Sequence, residues 1–459
     1  MRDCTVLLPE GLAAQVARAC GATITAVKPR GGGGASRQGA ELTLRYADGH
    51  EQHAYMNYDT LKGGAADDAA FAREAAVLRA LSGPLRSAGV RVPRFIAALA
   101  ESRALVTELV AGEADFNKLQ RLEDRKATAR DFMAQLAALH LHDPRAEKID
   151  GFDELQQPSQ VVRASVEQLR ERHLQEGRHP LILLALDWLD RNVPEDPERI
   201  VIVHGDAGPA NFLFADNRVT ALLDWELVHY GDPMEDLAMI CIRNLFQPFV
   251  PLPEAFAAYE RAGGFKVDLN RVRYYRLFFQ VRFASTLSRL GNPGYAPPPV
   301  LGMSLVYGMT HLRVLCEALA EAAGVTLQPI TLPEAPAGVH HRSFAIALED
   351  LREVIVPRLE DQQASAKAKG LARLIKWWRD SERFGPAFDA YECQRYAAVL
   401  GRSFSSAVEA REALCDALLS RALDLPAAIQ LCHVSIGLDH ALLANAMGTF
   451  ASTHFAALE

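Results

Sequence analysis

The chain has 459 residues, of which 49% are hydrophobic and 23% charged, and a formal net charge of −8. That length exceeds the roughly 250–300 residues at which a single core stops growing, so two or three folded units are expected, with apolar surface enough for sizeable cores. The negative balance, without any Lys/Arg block, disfavours a nucleic-acid binder, and the seven scattered cysteines, never in a C-x-x-C pair, indicate neither a disulfide framework nor a thiolate zinc site.

The N-terminal MRDCTVLLPEGL lacks the longer apolar run of a secretory signal, and LILLALDWL at 181–189 is too short to span a bilayer. The expected setting is a reducing cytoplasm with no membrane partner. ATITAVKPR then leads through GGGGASR into ELTLRYADGHEQHAYMNYD, where Asp48-Gly49 between alternating segments predicts a hairpin. DDAAFAREAAVLRALSGPL places Phe71, Ala75, Leu78 and Leu81 at helical spacing between an acidic start and a Gly-Pro stop. VRVPRFIAAL and SRALVTELVAG read as two further strands. The first 110 residues therefore form a small α+β lobe of five strands and one helix.

From residue 111 the period becomes helical. RDFMAQLAALHLHD, SQVVRASVEQLRERHL, DPMEDLAMICIRNLF and RVRYYRLFFQVRFASTLSRL all repeat apolar residues every three or four positions. Between them lie the strands RIVIVHGD, NFLF and RVTALLDWE, the last two joined by a turn at Asp216 and Asn217. GNPGYAPPP at 291–299 reads as a loop, and TLPEAPAGVHH at 331–341 separates all this from an Ala- and Leu-rich tail. In the tail, Phe344, Leu348, Leu351 and Ile355 share one helical face, as do Leu371, Leu374, Ile375 and Trp378. A packed helical bundle is the expectation there.

The residues that bear chemistry cluster in the middle of the chain. Asp206 and Asn211 sit on the loop after a strand, and Asp224 ends a strand that a short hairpin can return beside that loop. Two carboxylates and an amide are hard oxygen ligands, the set suited to Mg²⁺, which takes few protein ligands and leaves positions for phosphate and water. Taken singly, each is also a common turn former. The ordered combination of strand, HGD, Asn, hairpin, DWE and GDPMEDLA is far more restrictive.

HGDAGPAN, LLDWE and HYGDPMEDLA resemble the motifs of the aminoglycoside phosphotransferase and choline kinase-like enzymes, relatives of the protein kinases, over roughly residues 20–325. DWE followed by GDP is most similar to the kinase domains associated with acyl-CoA dehydrogenases. The resemblance implies an α+β, two-lobed protein-kinase-like fold with an antiparallel-sheet N-lobe over 1–110 and a mostly helical C-lobe over 111–330. A linker at 331–344 and an all-α domain over 345–459 follow, the latter resembling a helical domain of unknown function. ATP and Mg²⁺ are the implied cofactors, and the implied acceptor is a small-molecule hydroxyl, with hydroxyacyl-CoA as one such class.

Carried over by position, Asp206 is the catalytic carboxylate, Asn211 and Asp224 hold Mg²⁺, His204 braces the loop and Asp236 anchors its backbone. Gly33, Gly34 and Ser36 fall in the phosphate-covering turn. Backbone groups of Thr107, Glu108 and Leu109 face an adenine edge. The helix around Tyr274 to Phe283 and the GNPGYAPPP loop lie on the acceptor side, although YYRLFF is also the pattern of a core stripe. Glu74 matches the helix glutamate that pairs with a strand lysine, yet the strand EQHAYMNYD has Asn57 near the position of that cation, with Arg37 and Lys62 the basic residues near by. Two functions follow: a phosphotransferase, or a nucleotide-binding or scaffolding pseudokinase that works through its helical tail, where a protein partner or self-association would also be placed. An unrelated phosphohydrolase is a third, with no motif of its own.

Overall fold

The computed structural model describes residues 8–30, 37–59, 65–145, 148–152, 154–287, 300–456 and 458. The glycine run with Gly33, Gly34 and Ser36, Lys62, and the loop 288–299 lie outside these residues. Helix α1 (Leu12–Cys20) precedes strands β1 (Thr23–Arg30), β2 (Arg37–Arg45) and β3 (Glu51–Asp59), and α2 (Ala65–Ser82) leads to β4 (Phe95–Leu99) and β5 (Ala104–Glu108). Helices α3 (Leu122–Leu141), α4 (Pro158–Glu176) and α5 (Pro180–Arg191) follow, then short strands β6 (Val201–Val203), β7 (Phe212–Ala215), β8 (Arg218–Leu222) and β9 (His229–Gly231). The chain ends in α6 (Met234–Arg243), α7 (Leu252–Arg261), α8 (Leu269–Leu287), α9 (Leu301–Ala322), α10 (His341–Glu349), α11 (Gln362–Leu400), α12 (Ala407–Leu419) and α13 (Leu425–Met447). These elements form two compact units that interleave along the chain: residues 1–158 with 196–272 and 456–459, and residues 159–195 with 273–455.

The first unit opens with an antiparallel sheet of order β1-β2-β3-β5-β4. The β2–β3 hairpin turns at Asp48-Gly49, where Gly49 has φ +84° and its N–H donates to Tyr46 O at 3.0 Å. Alternation along β2 and β3 sends Ala40, Leu42, Leu44, Ala54, Met56 and Tyr58 to one face, where they pack with Leu12 and Val16 of α1. Arg37, Gly39, Tyr55, Asn57 and Asp59 take the other face, with Arg37 opposite Asp59 and Gly39 opposite Asn57 in the register. Helix α2 starts with Asp67 and Asp68 in its first turn and buries Phe71, Glu74, Ala75 and Leu78.

Below this sheet, α3 packs against β6, β8 and α7. Rings of Phe116, Phe132, Phe212 and Phe249 interlock at centroid separations of 4.6–6.4 Å and form the floor on which the central loop rests. The β7–β8 hairpin turns on Asp216 and Asn217, both at positive φ (+49° and +62°), as the primed turns of tight hairpins require.

In the second unit α13 packs on α9 and α11, and α12 on α5. Residues 425–452 are apolar enough by length and composition to cross a bilayer, with half of the most apolar window buried inside the protein, as in a core helix. The side chains of Tyr274, Tyr275, Phe278 and Phe279 are buried and Tyr274 donates its hydroxyl to Leu189 O at 3.0 Å, so the aromatic stripe of α8 is core. The face of Phe344, Leu348, Leu351 and Ile355 is split: α10 gives way to a π-helical turn over Asp350–Ile355, whose wider turn rotates Ile355 outward to 44% exposure while Leu351 stays buried. Of the second stripe Ile375 is buried, whereas Leu371 and Trp378 are more than 40% exposed.

Candidate active site

The loop after β6 is set by a buried carboxylate. Asp236, in the first turn of α6, accepts the N–H of His204 through Oδ2 and that of Gly205 through Oδ1, both at 2.8 Å. His140 Nε2 adds a contact at 3.0 Å, and its Nδ1 meets Tyr259 OH at 2.7 Å. Burial alone would push the Asp236 carboxyl up, but the His140 hydrogen bond and charge, with His204, hold it below its usual value. The loop can bend here because Gly205 has φ +83°, and a Cβ at that position would lie 2.2 Å from Leu227 O.

His204 is a brace in geometric terms. Its Nε2 lies 2.8 Å from Leu223 O, its Nδ1 is 3.3 Å from the Asp206 N–H, and its ring packs on Trp225 at 4.5 Å. A carbonyl can only accept, so Nε2 carries the proton and Nδ1 receives the amide, which is the neutral tautomer. Burial lowers the His204 pKa and agrees with that state. Both ring nitrogens are committed, so the imidazole has no site left to act as a base.

Asp206 is gripped from two sides. Asn211 Nδ2 donates to its Oδ2 at 2.8 Å and to its backbone O at 2.9 Å. Arg243, the last residue of α6, places Nε 2.7 Å from Oδ1, pairs Nη2 with Oδ2, and donates Nη1 to Pro209 O at 3.1 Å. This fork is the strong, planar form of an Arg–carboxylate contact. Sequence reading missed Arg243; the only signal was a basic residue closing the GDPMEDLA helix.

With its amide nitrogen committed to Asp206, Asn211 presents Oδ1 as its remaining acceptor. The Asn211 backbone O receives the Leu223 N–H at 2.8 Å, which brings the neighbouring Asp224 beside the loop. Asp224 has φ +63°, a left-handed conformation uncommon outside glycine and concentrated at functional positions. Its carboxylate is open to solvent but walled by protein on most sides. That partial desolvation, with like charges on Glu226, Asp206 and Glu74, raises its pKa to about 7. Among the described residues Asp224 has no hydrogen bond or ion pair. No three His, Cys, Asp or Glu side chains among them make a closed metal cage. The donor set of Asn211 Oδ1 and Asp224 nevertheless fits Mg²⁺, whose shell is commonly completed by phosphate and water.

On the sheet side, Glu74 is 2% exposed and its Oε2 accepts from Arg37 Nη1 at 2.5 Å. Burial pushes the Glu74 carboxyl up against the opposing charge and hydrogen bond of Arg37, which lies at salt-bridge distance. Arg37 Nε also lies 3.3 Å from Asp59, which Arg103 holds from the other side at 2.5 Å. The cation that pairs with Glu74 therefore comes from β2, while Asn57 on β3 leaves Oδ1 buried without a hydrogen-bond partner among the described residues. Tyr55, also unforeseen from sequence, lies over Gly39, where a Cβ would stand 2.2 Å from its hydroxyl.

Thr107, Glu108 and Leu109 are less open than expected. Thr107 pairs with both Tyr55 and Phe95 in the sheet, Glu108 N–H donates to Arg94 O at 2.9 Å and Leu109 N–H to His53 O at 3.1 Å. Strand pairing runs past the end of β5 and takes the Glu108 and Leu109 amides that an adenine edge would use. Gly33, Gly34 and Ser36 lie outside the described residues.

Residues 61–275 match the profile of the Phosphotransferase enzyme family. Acyl-CoA dehydrogenase family member 11 of Rattus norvegicus is 37% identical over 67 residues, 14% of this chain and 9% of that protein. Its Homo sapiens namesake is 33% identical over 86 residues, 18% of this chain and 11% of that protein. The chain thus spans about a tenth of the length of these curated relatives. The structure of a Ralstonia eutropha JMP134 protein, provisionally assigned as an aminoglycoside phosphotransferase, aligns with a TM-score of 0.51 at 22% identity, covering 69% of this chain and 98% of its own. The two share the kinase-like, two-lobed fold. The family match begins after β3, so Arg37 lies outside it.

Proposed function

We propose, from the premise that residues 61–275 carry a phosphotransferase domain, that this protein is an ATP- and Mg²⁺-dependent kinase acting on a hydroxyl of a small molecule. The observation that carries the reading is the convergence of Asp206, Asn211 and Asp224 on a loop whose backbone is pinned by the buried Asp236. Asp206 would orient the acceptor hydroxyl and take its proton as the new O–P bond forms and the bond from the γ-phosphorus to the bridging oxygen breaks, its electron pair leaving on ADP, with Arg243 yielding one carboxylate oxygen to the hydroxyl. Asn211 Oδ1 and Asp224 would hold Mg²⁺, which when bound neutralises phosphate charge. Such transfer depends chiefly on positioning and charge neutralisation, which rigid backbone anchors supply. Hydroxyacyl-CoA is the first acceptor class to test, supported by the motif resemblance and by the names of the curated relatives.

A second reading, a nucleotide-binding protein without transfer, draws support from Arg243, which engages both oxygens of Asp206. The deciding experiment incubates the purified full chain with γ-labelled MgATP and a panel of hydroxyacyl-CoAs, amino alcohols and aminoglycosides, beside Asp206→Asn. Label transfer lost in the variant supports the kinase. Nucleotide binding with no transfer across the panel supports the second reading, and absence of both ends the first.

A further inference from the structure

A kinase-type site asks for a cation on the sheet face above the phosphates, and β3 supplies none: Glu51–Asp59 reads EQHAYMNYD. The neighbouring strand does. We propose that Arg37, at the start of β2, is the nucleotide-phosphate contact of this protein, and that Glu74 and Asp59 hold it in that position. The inference rests on the kinase reading above and adds the residue that makes it workable.

Two observations carry it. The first is the face. In antiparallel register Arg37 lies opposite Asp59 and Gly39 opposite Asn57, and directly paired residues point to the same side of a sheet. Arg37 therefore projects from the surface that Asn57 occupies, one strand over, away from the α1 core that takes Ala40, Leu42 and Met56. The second is the clamp. Glu74 is almost wholly buried, and a buried carboxylate is costly unless paired; Arg37 meets it at 2.5 Å, and Asp59 Oδ1 stands 3.3 Å from Nε. Asp59 is in turn fixed by Arg103, which also reaches Asp68 at 2.9 Å. The guanidinium is thus oriented from α2 and β3 together.

Arginine suits the task, since it is always charged and its fork can bond a carboxylate and a phosphate at once. Moving the cation to β2 leaves β3 free to carry Asn57, which explains how a chain can lack the strand cation and keep Glu74 in an ion pair.

The test measures Kd for MgATP, MgADP and adenosine with the full chain as wild type, Arg37→Gln, Arg37→Gln/Asn57→Lys and Arg37→Lys. Arg37→Gln should weaken MgATP and MgADP about tenfold or more, the usual effect of losing a charge-assisted contact, and leave adenosine within about twofold. Asn57→Lys in the same chain should recover most of the loss. Unchanged MgATP affinity in Arg37→Gln, a loss shared equally by adenosine, or a double variant as weak as the single one overturns the proposal. If Arg37→Gln does not fold, Arg37→Lys is decisive: its shorter, single-headed cation should weaken MgATP but not adenosine, and equal affinities would again overturn it. Wild type that binds no MgATP instead overturns the kinase reading itself, which separates the two failures.

Discussion

Two arginine-centred clusters show how the same chemistry serves different ends. In the helical unit Arg411 meets Glu392 through Nε and Nη2 at 2.7 and 2.8 Å and Asp439 through Nη1 and Nη2 at 2.8 and 2.9 Å. Ser435 Oγ also donates to Glu392, and Tyr396 OH lies 2.6 Å from Ser435. Every charged group there has its counterpart, and the network ties α11, α12 and α13 together. In the unit with the loop, Arg243 and Arg37 engage Asp206 and Glu74, but Asp224 sits among like charges in a left-handed backbone conformation with no partner among the described residues. A network that closes on itself is a staple; one that leaves a carboxyl among like charges without a partner favours a cation there.

The sharpest way to break this comparison is Asp206→Asn, which should lower transfer by about 10³-fold or more while leaving the melting temperature within a few degrees, read by steady-state rates and calorimetry. Retained activity would move the catalytic group elsewhere. Next in size, Arg411→Met leaves Glu392, 2% exposed, without its cation and should destabilise the helical unit by about 3 kcal/mol in denaturant unfolding. The double replacement Arg411→Met/Glu392→Met should recover part of that loss; if it does not, the cluster is more than a staple.

Acid should separate the regions as well. Burial holds His311 down to about 4 and His179 down to about 3 in the helical unit. A lowered folded-state pKa means that stability is complete above the unfolded value of 6.5 and is lost as pH falls towards the folded value. For His311 the full loss is on the order of 3 kcal/mol, so unfolding followed by Trp fluorescence should show the decline between pH 6.5 and 4, and His311→Gln should lessen it. In the other unit Asp224 must lose its proton to bind metal. With its pKa raised to about 7, Mg²⁺ affinity should rise with pH up to about 7 and level off above, by about tenfold per pH unit at most on the acid side. Equal affinity at pH 6 and 8 would mean that the Asp224 carboxyl is already ionised at pH 6 or that it does not hold the metal. The smallest effect expected is for Arg243→Gln, about tenfold in kcat with KM for ATP unchanged, because Arg243 touches Asp206 and not the nucleotide corner.

Much of this arrangement was legible before folding, and the parts that were not share a cause. HGDAGPAN, the Asp216–Asn217 turn and DWE are contiguous motifs whose local chemistry dictates local geometry, and the hairpin that returns Asp224 beside Asn211 follows from two short strands and a primed turn. Glu74 was legible as a helix glutamate, but not its partner. Arg243 stands 37 residues from Asp206 and reaches it only because α6 starts at the Asp236 anchor and points its last turn at the loop. The adenine-edge expectation for 107–109 did not include that strand pairing takes the Glu108 and Leu109 amides, a matter of register.

By itself, then, the order of residues determined the α+β character of the lobe and the central loop that carries Asp206 and Asn211, because turns and periodicity act over a few residues. Only the tertiary structure decided which cation meets Glu74, which arginine grips Asp206, and that α4, α5 and α9 share a unit with the tail helices. Those outcomes depend on which faces must be buried and which charges must be paired once burial removes water, and such demands are met by whichever residue the packing brings within reach.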